Sequence, residues 1–143
     1  KTGKCHIDDD MQSIYSRLRE ADGLILGTPI YLFSMTGQFK VFLDRTLPLI
    51  FPQTQLANKV GGIITVKMRT GSWHAVVVFQ QFFQANHMFT ADHWVEGLGG
   101  AREGIRKDQH AMKVAWELGR QVTLLAKKGH NFPLSTMPAF KNL

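Results

Sequence analysis

Apolar residues recur along this chain in two rhythms, and the rhythms alternate. From Asp8 to Ala21 the sequence "DDDMQSIYSRLREA" puts Met11, Ile14, Tyr15 and Leu18 at i, i+3, i+4 and i+7, the spacing of an amphipathic helix. Three aspartates precede it, suited to capping and to the positive end of the helix dipole. "DGLILGTPIY" follows, and its continuous run Leu24, Ile25, Leu26, closed by Gly27 and Pro29, predicts a strand buried on both faces. "TGQFKVFLDRTLPLI" returns to helical spacing with Phe39, Phe42 and Leu43 on one face, until Pro48 ends or kinks it.

The same two rhythms repeat. "KVGGIITVKMR" predicts a second buried strand over Gly61 to Val66. Residues 72–87, "SWHAVVVFQQFFQANH", carry aromatics at helical spacing and predict a helix, although the β-branched run Val76 to Val78 favours a strand. "MFTADHWVEG" predicts a shorter third strand. After the loop "GLGGAREG", Lys107 to Lys128 predicts a long helix whose face is Met112, Ala115, Trp116, Gly119, Val122 and Leu125. Lys127 and Lys128 suit its end, and Gly129 stops it.

Helix, strand, helix, strand, helix, strand, helix implies right-handed crossovers and a parallel sheet with helices on both faces. Three doubly buried strands would leave exposed edges. A further strand and helix are therefore expected upstream of Lys1, and the whole reads as one α/β domain. The length of 143 residues agrees with a single domain.

Composition narrows the function. A hydrophobic share of 44% and a charged share of 20% are those of a globular protein, and no apolar run is long enough for a membrane span. One cysteine excludes an internal disulfide and makes the cytoplasm the default compartment. The net charge of +6 favours anionic ligands, but no basic run supports nucleic-acid binding. The six histidines are scattered, and neither a G-x-S-x-G elbow nor metal-ligand spacing occurs. Hydrolase and metalloenzyme chemistry lack support.

Ligands of open α/β sheets bind beyond the carboxyl ends of the strands. Three loops fall there: 28–37, 67–72 and 96–106. In the first, Thr28 and Pro29 turn the chain off the strand, and Tyr31, Phe33 and Met35 offer flat or polarizable surface. Ser34, Thr36 and Gly37 offer N–H groups at a helix start. Apolar walls with N–H donors suit a planar, electron-accepting heterocycle, the alternative being that Phe33 and Met35 belong to a core or a dimer interface. The second loop, "KMRTGS", sets Lys67, Arg69, Gly71 and Ser72 at another helix start, able to hold an anion. The third lacks G-x-G-x-x-G spacing and is read as a flexible border of the pocket.

The blocks "GKCHIDDDMQ", "EADGLILGTPIY", "MTGQFKVFLDR" and "NKVGGIITVKMRTGS" together resemble the flavodoxin-like NAD(P)H-dependent FMN reductase family, in its iron–sulfur flavoprotein branch. The resemblance implies a flavodoxin-like doubly wound parallel sheet in three α/β/α layers, with this chain holding the last three of five strands. The strand and loop that grip the FMN phosphate would precede Lys1. It also implies an FMN-dependent oxidoreductase or electron-transfer flavoprotein, with NAD(P)H or a reduced carrier as donor. The flavin ring would meet Pro29, Ile30, Tyr31, Phe33, Ser34, Met35, Thr36 and Gly37 after Thr28, with Arg69, Thr70 and Gly71 on its other side. Cys5 falls where the last ligand of a [4Fe–4S] cluster stands in that branch, the other cysteines lying upstream. A homodimer or homotetramer is implied, with 73–89 as candidate interface. The rivals are an NAD(P)H:quinone oxidoreductase and a non-catalytic electron carrier or structural subunit.

Overall fold

A computed structural model describes residues 4–51 and 53–131. The order is α1 (Met11–Glu20), β1 (Gly23–Pro29), α2 (Gly37–Arg45), a 3-10 turn (Leu47–Leu49), β2 (Val60–Lys67) and α3 (Trp73–Ala85). It continues with β3 (Phe89–Thr90), β4 (Val95–Leu98), a second 3-10 turn (Gly104–Lys107) and α4 (Gln109–Lys128). All strand pairs are parallel: β1 with β2, and β2 with both β3 and β4. Helices α1, α2 and α3 pack on one face of the sheet and α4 on the other. This is the three-layer arrangement the alternating pattern calls for.

The third strand is the main departure in the backbone. It is two short strands rather than one, because the register against β2 slips between them. Val60 faces Phe89 and Gly61 faces Thr90, but Ile64 faces Val95. Residues 91–94 therefore hold two more residues than the β2 segment opposite and bow away from it. They line a cavity of about 120 Å³ with Gly61, Gly62, Ile63 and Gln80.

Burial also differs from expectation on the α4 side. β1 alternates rather than being buried on both faces: Leu24, Leu26 and Thr28 face the α1–α3 core, while Ile25 is 44% exposed. The reason is that α4 lies mainly over β2 and β4 and touches β1 less, with Val122 closing on Gly23. On α4 the buried stripe runs through Ala111, Leu118 and Val122, so Met112 and Trp116 face outward. Val122, Ala115 and Leu125 of the face predicted do belong to this side, while Ala111 and Leu118 take the places expected for Met112 and Trp116. Asp108 starts this helix, its carboxylate accepting from the Ala111 N–H at 2.9 Å and the Leu98 N–H at 2.9 Å.

α3 forms despite its valine run, since Ala75, Val76, Phe79 and Phe83 make one fully buried stripe. Of the aromatics of 73–89, Phe79 and Phe83 are fully buried and Phe82 packs partly against the core, while Trp73 is 60% and Phe89 37% exposed. One glycine lets this happen. A Cβ on Gly61 would lie 2.7 Å from three ring carbons of Phe83, so only glycine lets the ring rest on the strand.

Candidate functional site

At the carboxyl edge of the sheet the ends of β1, β2 and β4 stand side by side. The Ile30 N–H still donates to the Val66 carbonyl (2.8 Å), and the Gly99 N–H to the Lys67 carbonyl (2.9 Å). The three loops expected at this edge begin there.

The first is a tight reversal. Tyr31 and Ser34 exchange N–H to carbonyl bonds in both directions, at 2.9 and 3.2 Å. The two residues between them, Leu32 and Phe33, have φ of +46° and +68°. Positive φ at both central positions is the geometry of a type I′ turn, normally made by Asn-Gly. With bulky side chains it costs on the order of 1–2 kcal/mol per residue. Nor is the apolar surface hidden: Tyr31 is 67%, Leu32 92% and Phe33 57% exposed. Strain held together with exposed apolar surface points to a ligand rather than to packing.

The turn is braced from below. Thr28, buried, accepts from the Thr36 N–H at 3.3 Å through its hydroxyl oxygen, and Thr36 in turn caps α2 by accepting from the Phe39 N–H at 3.2 Å. Both threonines therefore hold the loop. Met35 is 8% exposed and sits in the core with Leu43 and Phe79. Its side chain counts among the core rather than among the exposed apolar residues of the loop. Ile30 also packs partly against that core. Pro29 and Gly37 are exposed, and Ser34 is half-buried. Among the described residues the N–H groups of Phe33, Gly37 and Gln38 donate to no acceptor in the chain.

The second loop meets the first. Gly71 has φ +104°, and a Cβ there would lie 2.7 Å from Phe33 Cδ1 and 2.9 Å from its Cα. Phe33 and Gly71, 38 positions apart in the sequence, are thus in contact. Arg69 and Thr70 extend into solvent beside them. Met68 and Trp73, on this second loop and the start of α3, and Leu98 at the end of β4 add exposed apolar surface that sequence reasoning missed. Their common position, at or next to the end of a strand or the start of a helix on the carboxyl edge, was the available signal. Trp73 is backed by Trp94, with ring centroids 5.8 Å apart.

Cys5 lies elsewhere, where the segment before α1 crosses the end of α2. Its sulfur is 3.7 Å from Arg45 Nη2. The same guanidinium grips Asp9 through two bonds of 2.5 and 2.8 Å, and the Tyr15 hydroxyl donates to the Arg45 carbonyl at 2.5 Å. An N–H of Ile7 and then Arg45 hold the Cys5 thiol below its ordinary pKa, while burial and the nearby thiol raise that of Tyr15. One thiolate is a quarter of a [4Fe–4S] ligand set. Among the described residues no three His, Cys, Asp or Glu side chains converge as metal ligands. The residues of this chain therefore do not by themselves fit a cluster.

The Arg45 contact also makes a pH prediction. Arg45 first, and the Met11 N–H after it, lower the Asp9 pKa below the usual carboxylate value. A depressed folded-state pKa adds stability that is present at neutral pH and is lost as pH falls from about 4 through the folded value. Asp9→Asn is expected to flatten that acid limb when melting temperature is followed against pH. An unchanged limb would show that the pair contributes nothing to stability.

An open parallel sheet of this order, with helices on both faces and its loops gathered at the carboxyl edge, is a flavodoxin-like architecture. Residues 1–97 match the model of the NADPH-dependent FMN reductase family. The chain is 34% identical over 134 residues to an iron-sulfur flavoprotein of Methanocaldococcus jannaschii, covering 87% of this chain and 69% of that protein. It is 30% identical over 120 residues to a putative NAD(P)H-dependent FMN-containing oxidoreductase of Bacillus subtilis, covering 78% and 66%. The crystal structure of RosB with a bound 8-demethyl-8-formylriboflavin-5'-phosphate intermediate shares the fold, with a TM-score of 0.74 at 24% identity, covering 86% of this chain and 54% of that one. The chain belongs to the NADPH-dependent FMN reductase family, a family of flavin-dependent oxidoreductases. It spans about two thirds of the length of the two curated relatives. No helix among the described residues is long and apolar enough to cross a membrane.

Proposed function

We propose that this chain supplies the isoalloxazine-binding edge of an FMN-dependent oxidoreductase or electron-transfer flavoprotein. The observation that carries the reading is the strained, outward-facing Tyr31–Ser34 turn locked against Gly71. Family membership supports FMN as the ligand. Bound FMN would supply the redox chemistry, taking a hydride from NAD(P)H or electrons from a reduced carrier and passing them to an acceptor.

The chain's own residues have simpler tasks. Tyr31 and Phe33 offer flat apolar faces that exclude water from a ring. The N–H groups at Phe33 and at the first turn of α2, which have no acceptor among the described residues, would donate to ring carbonyls or nitrogens. On the other side, Arg69, Thr70 and Gly71 form the opposing lip. Neither an acid nor a base is needed from the protein, and no cluster step enters the proposal.

Tyr31→Ala tests this reading. The residue is largely solvent-exposed, so the melting temperature should stay within about a degree or two. Loss of one aromatic contact should weaken FMN binding about 3- to 10-fold in a fluorescence-quenching titration. Unaltered affinity would remove the 28–37 loop from the site.

A further inference from the structure

The stretch "GLGGAREG", residues 97–104, lacks the spacing of a dinucleotide fingerprint, and the fold gives its glycines a packing role instead. A Cβ on Gly97 would lie 2.2 Å from Ile105 Cδ1, and one on Gly99 would lie 3.4 Å from the Ile105 nitrogen. The chain therefore folds back and seats Ile105 on the end of β4. A Cβ on Gly100 would stand 3.9 Å from Met68 Cγ, which sets this loop against the 67–72 loop. Three bonds close the reversal: the Gly104 N–H donates to the Ala101 carbonyl (2.8 Å), that of Arg106 to Glu103 (3.0 Å) and that of Asp108 to Ile105 (3.0 Å). Asp108 also holds Leu98 and Ala111, so residues 99–107 are tied at both ends.

The charges at this edge are unevenly placed. Residues 28–37 carry none. On 67–72, Lys67 donates to Glu96 at 2.7 Å, which leaves Arg69. On 99–107, Arg102, Arg106 and Lys107 are exposed, and among the described residues none of them has an ion pair. Of the acids nearby, Glu103 is exposed and likewise unpaired. Asp108 is occupied, its oxygens accepting the Leu98 N–H and an N–H at the positive start of α4. Three free cations against one free acid make a basic lip on the β4 side of the apolar edge.

We propose that Arg102, Arg106 and Lys107 receive the phosphate groups of a dinucleotide electron donor of the NAD(P)H class. The inference rests on the proposed flavin edge for the seat of the donor's ring, and the NADPH dependence in the family's description supports the class. A dinucleotide carries its phosphates away from its reacting ring, outside the dry part of a site. Cations that wait for them must stay hydrated, because an unpaired buried charge would destabilise the fold. Exposed side chains on a tied backbone meet that requirement, and the fixed backbone limits the ordering subtracted from affinity. Arginine adds a fork that matches two phosphate oxygens. None of the three touches the reacting ring, so they set specificity and take no part in the chemistry.

The test titrates the full chain, saturated with oxidised FMN, with NADP+ and with NAD+ by calorimetry, so that no turnover enters. The triple variant Arg102→Gln/Arg106→Gln/Lys107→Gln is expected to bind NADP+ about tenfold more weakly at low salt. At about 1 M salt, where charges act over only about 3 Å, the difference should nearly vanish. Glu103→Gln is expected to tighten NADP+ about two- to threefold, a gain that damage to the fold could not produce. A loss confined to NADP+ assigns the lip to the extra ribose phosphate, and an equal loss for NAD+ assigns it to the pyrophosphate. Unchanged NADP+ affinity in the triple variant would overturn the inference, as would weaker binding in Glu103→Gln. An equal loss of FMN affinity would also overturn it, by giving the lip to the FMN phosphate. If Tyr31→Ala leaves FMN binding intact while the triple variant loses NADP+, the flavin edge fails and the basic lip stands. If Tyr31→Ala weakens FMN and the triple variant keeps NADP+, the lip alone fails.

Discussion

Gly71→Ala should lower FMN affinity at least tenfold, which corresponds to about 1.4 kcal/mol. Two effects add at this position. A non-glycine residue at φ +104° is strained wherever it points, and the new methyl would meet Phe33 at 2.7 and 2.9 Å. The second of those contacts is with backbone, which cannot swing aside as a side-chain end can. Either the 69–71 lip retreats or the Leu32–Phe33 turn opens, and both outcomes separate the two walls of the edge. Because both loops are largely exposed, the cost in folding should stay at a few degrees of melting temperature. The two quantities are read by calorimetry and by FMN titration on the same preparation. Affinity retained alongside a lowered melting temperature would mean that the Phe33 contact serves folding and not binding.

Phe83→Ala is expected to be the most damaging single change to the fold, at about 3–5 kcal/mol. The ring is fully buried, packs edge-on beside Phe82, and lies flat enough on β2 that Gly61 has no room for a Cβ. A domain with a total stability of roughly 5–15 kcal/mol would be left close to unfolding at physiological temperature. The converse change, Gly61→Ala, overpacks the same contact and should cost about 1–3 kcal/mol. The pair gives a coupling that a generic cavity would not. In Gly61→Ala/Phe83→Ala the added methyl occupies space the ring vacated, so the double variant should lose less than the two single losses combined. Strict additivity in urea unfolding would show that the strand and ring relax independently.

These two expectations draw on different depths of legibility. The glycines and phenylalanines of β2 and α3 stand in plain periodic patterns, so the elements and most of the core could be read from spacing alone. What spacing could not supply was phase and continuity. Residues 91–94 carry no glycine or proline to announce a break, so one strand was expected where the register slips by two and makes β3 and β4. On α4, Met112 and Trp116 are as apolar as the residues that are buried, and only the position of the sheet decides that Ala111, Leu118 and Val122 face it. In the 28–37 loop, composition correctly drew attention to an apolar edge. It could not tell that Met35 turns inward while Leu32, which had attracted no notice, stands almost wholly in solvent. Positive φ is legible when glycine or asparagine announces it, and Leu-Phe announces nothing. The Cys5–Arg45 and Lys67–Glu96 contacts join distant segments, and one sequence carries no record of such pairs.

The Leu32–Phe33 turn also bears on how this protein could change. Asn-Gly at those two positions would adopt the same backbone without strain and would remove two exposed apolar side chains, which should raise stability and solubility together. Selection for folding alone would therefore move this loop away from its present residues. A stability-guided redesign or consensus substitution would find its easiest gains here and would erase the edge while doing so. In this chain the cheapest route to a sturdier protein runs through the residues on which its proposed chemistry depends.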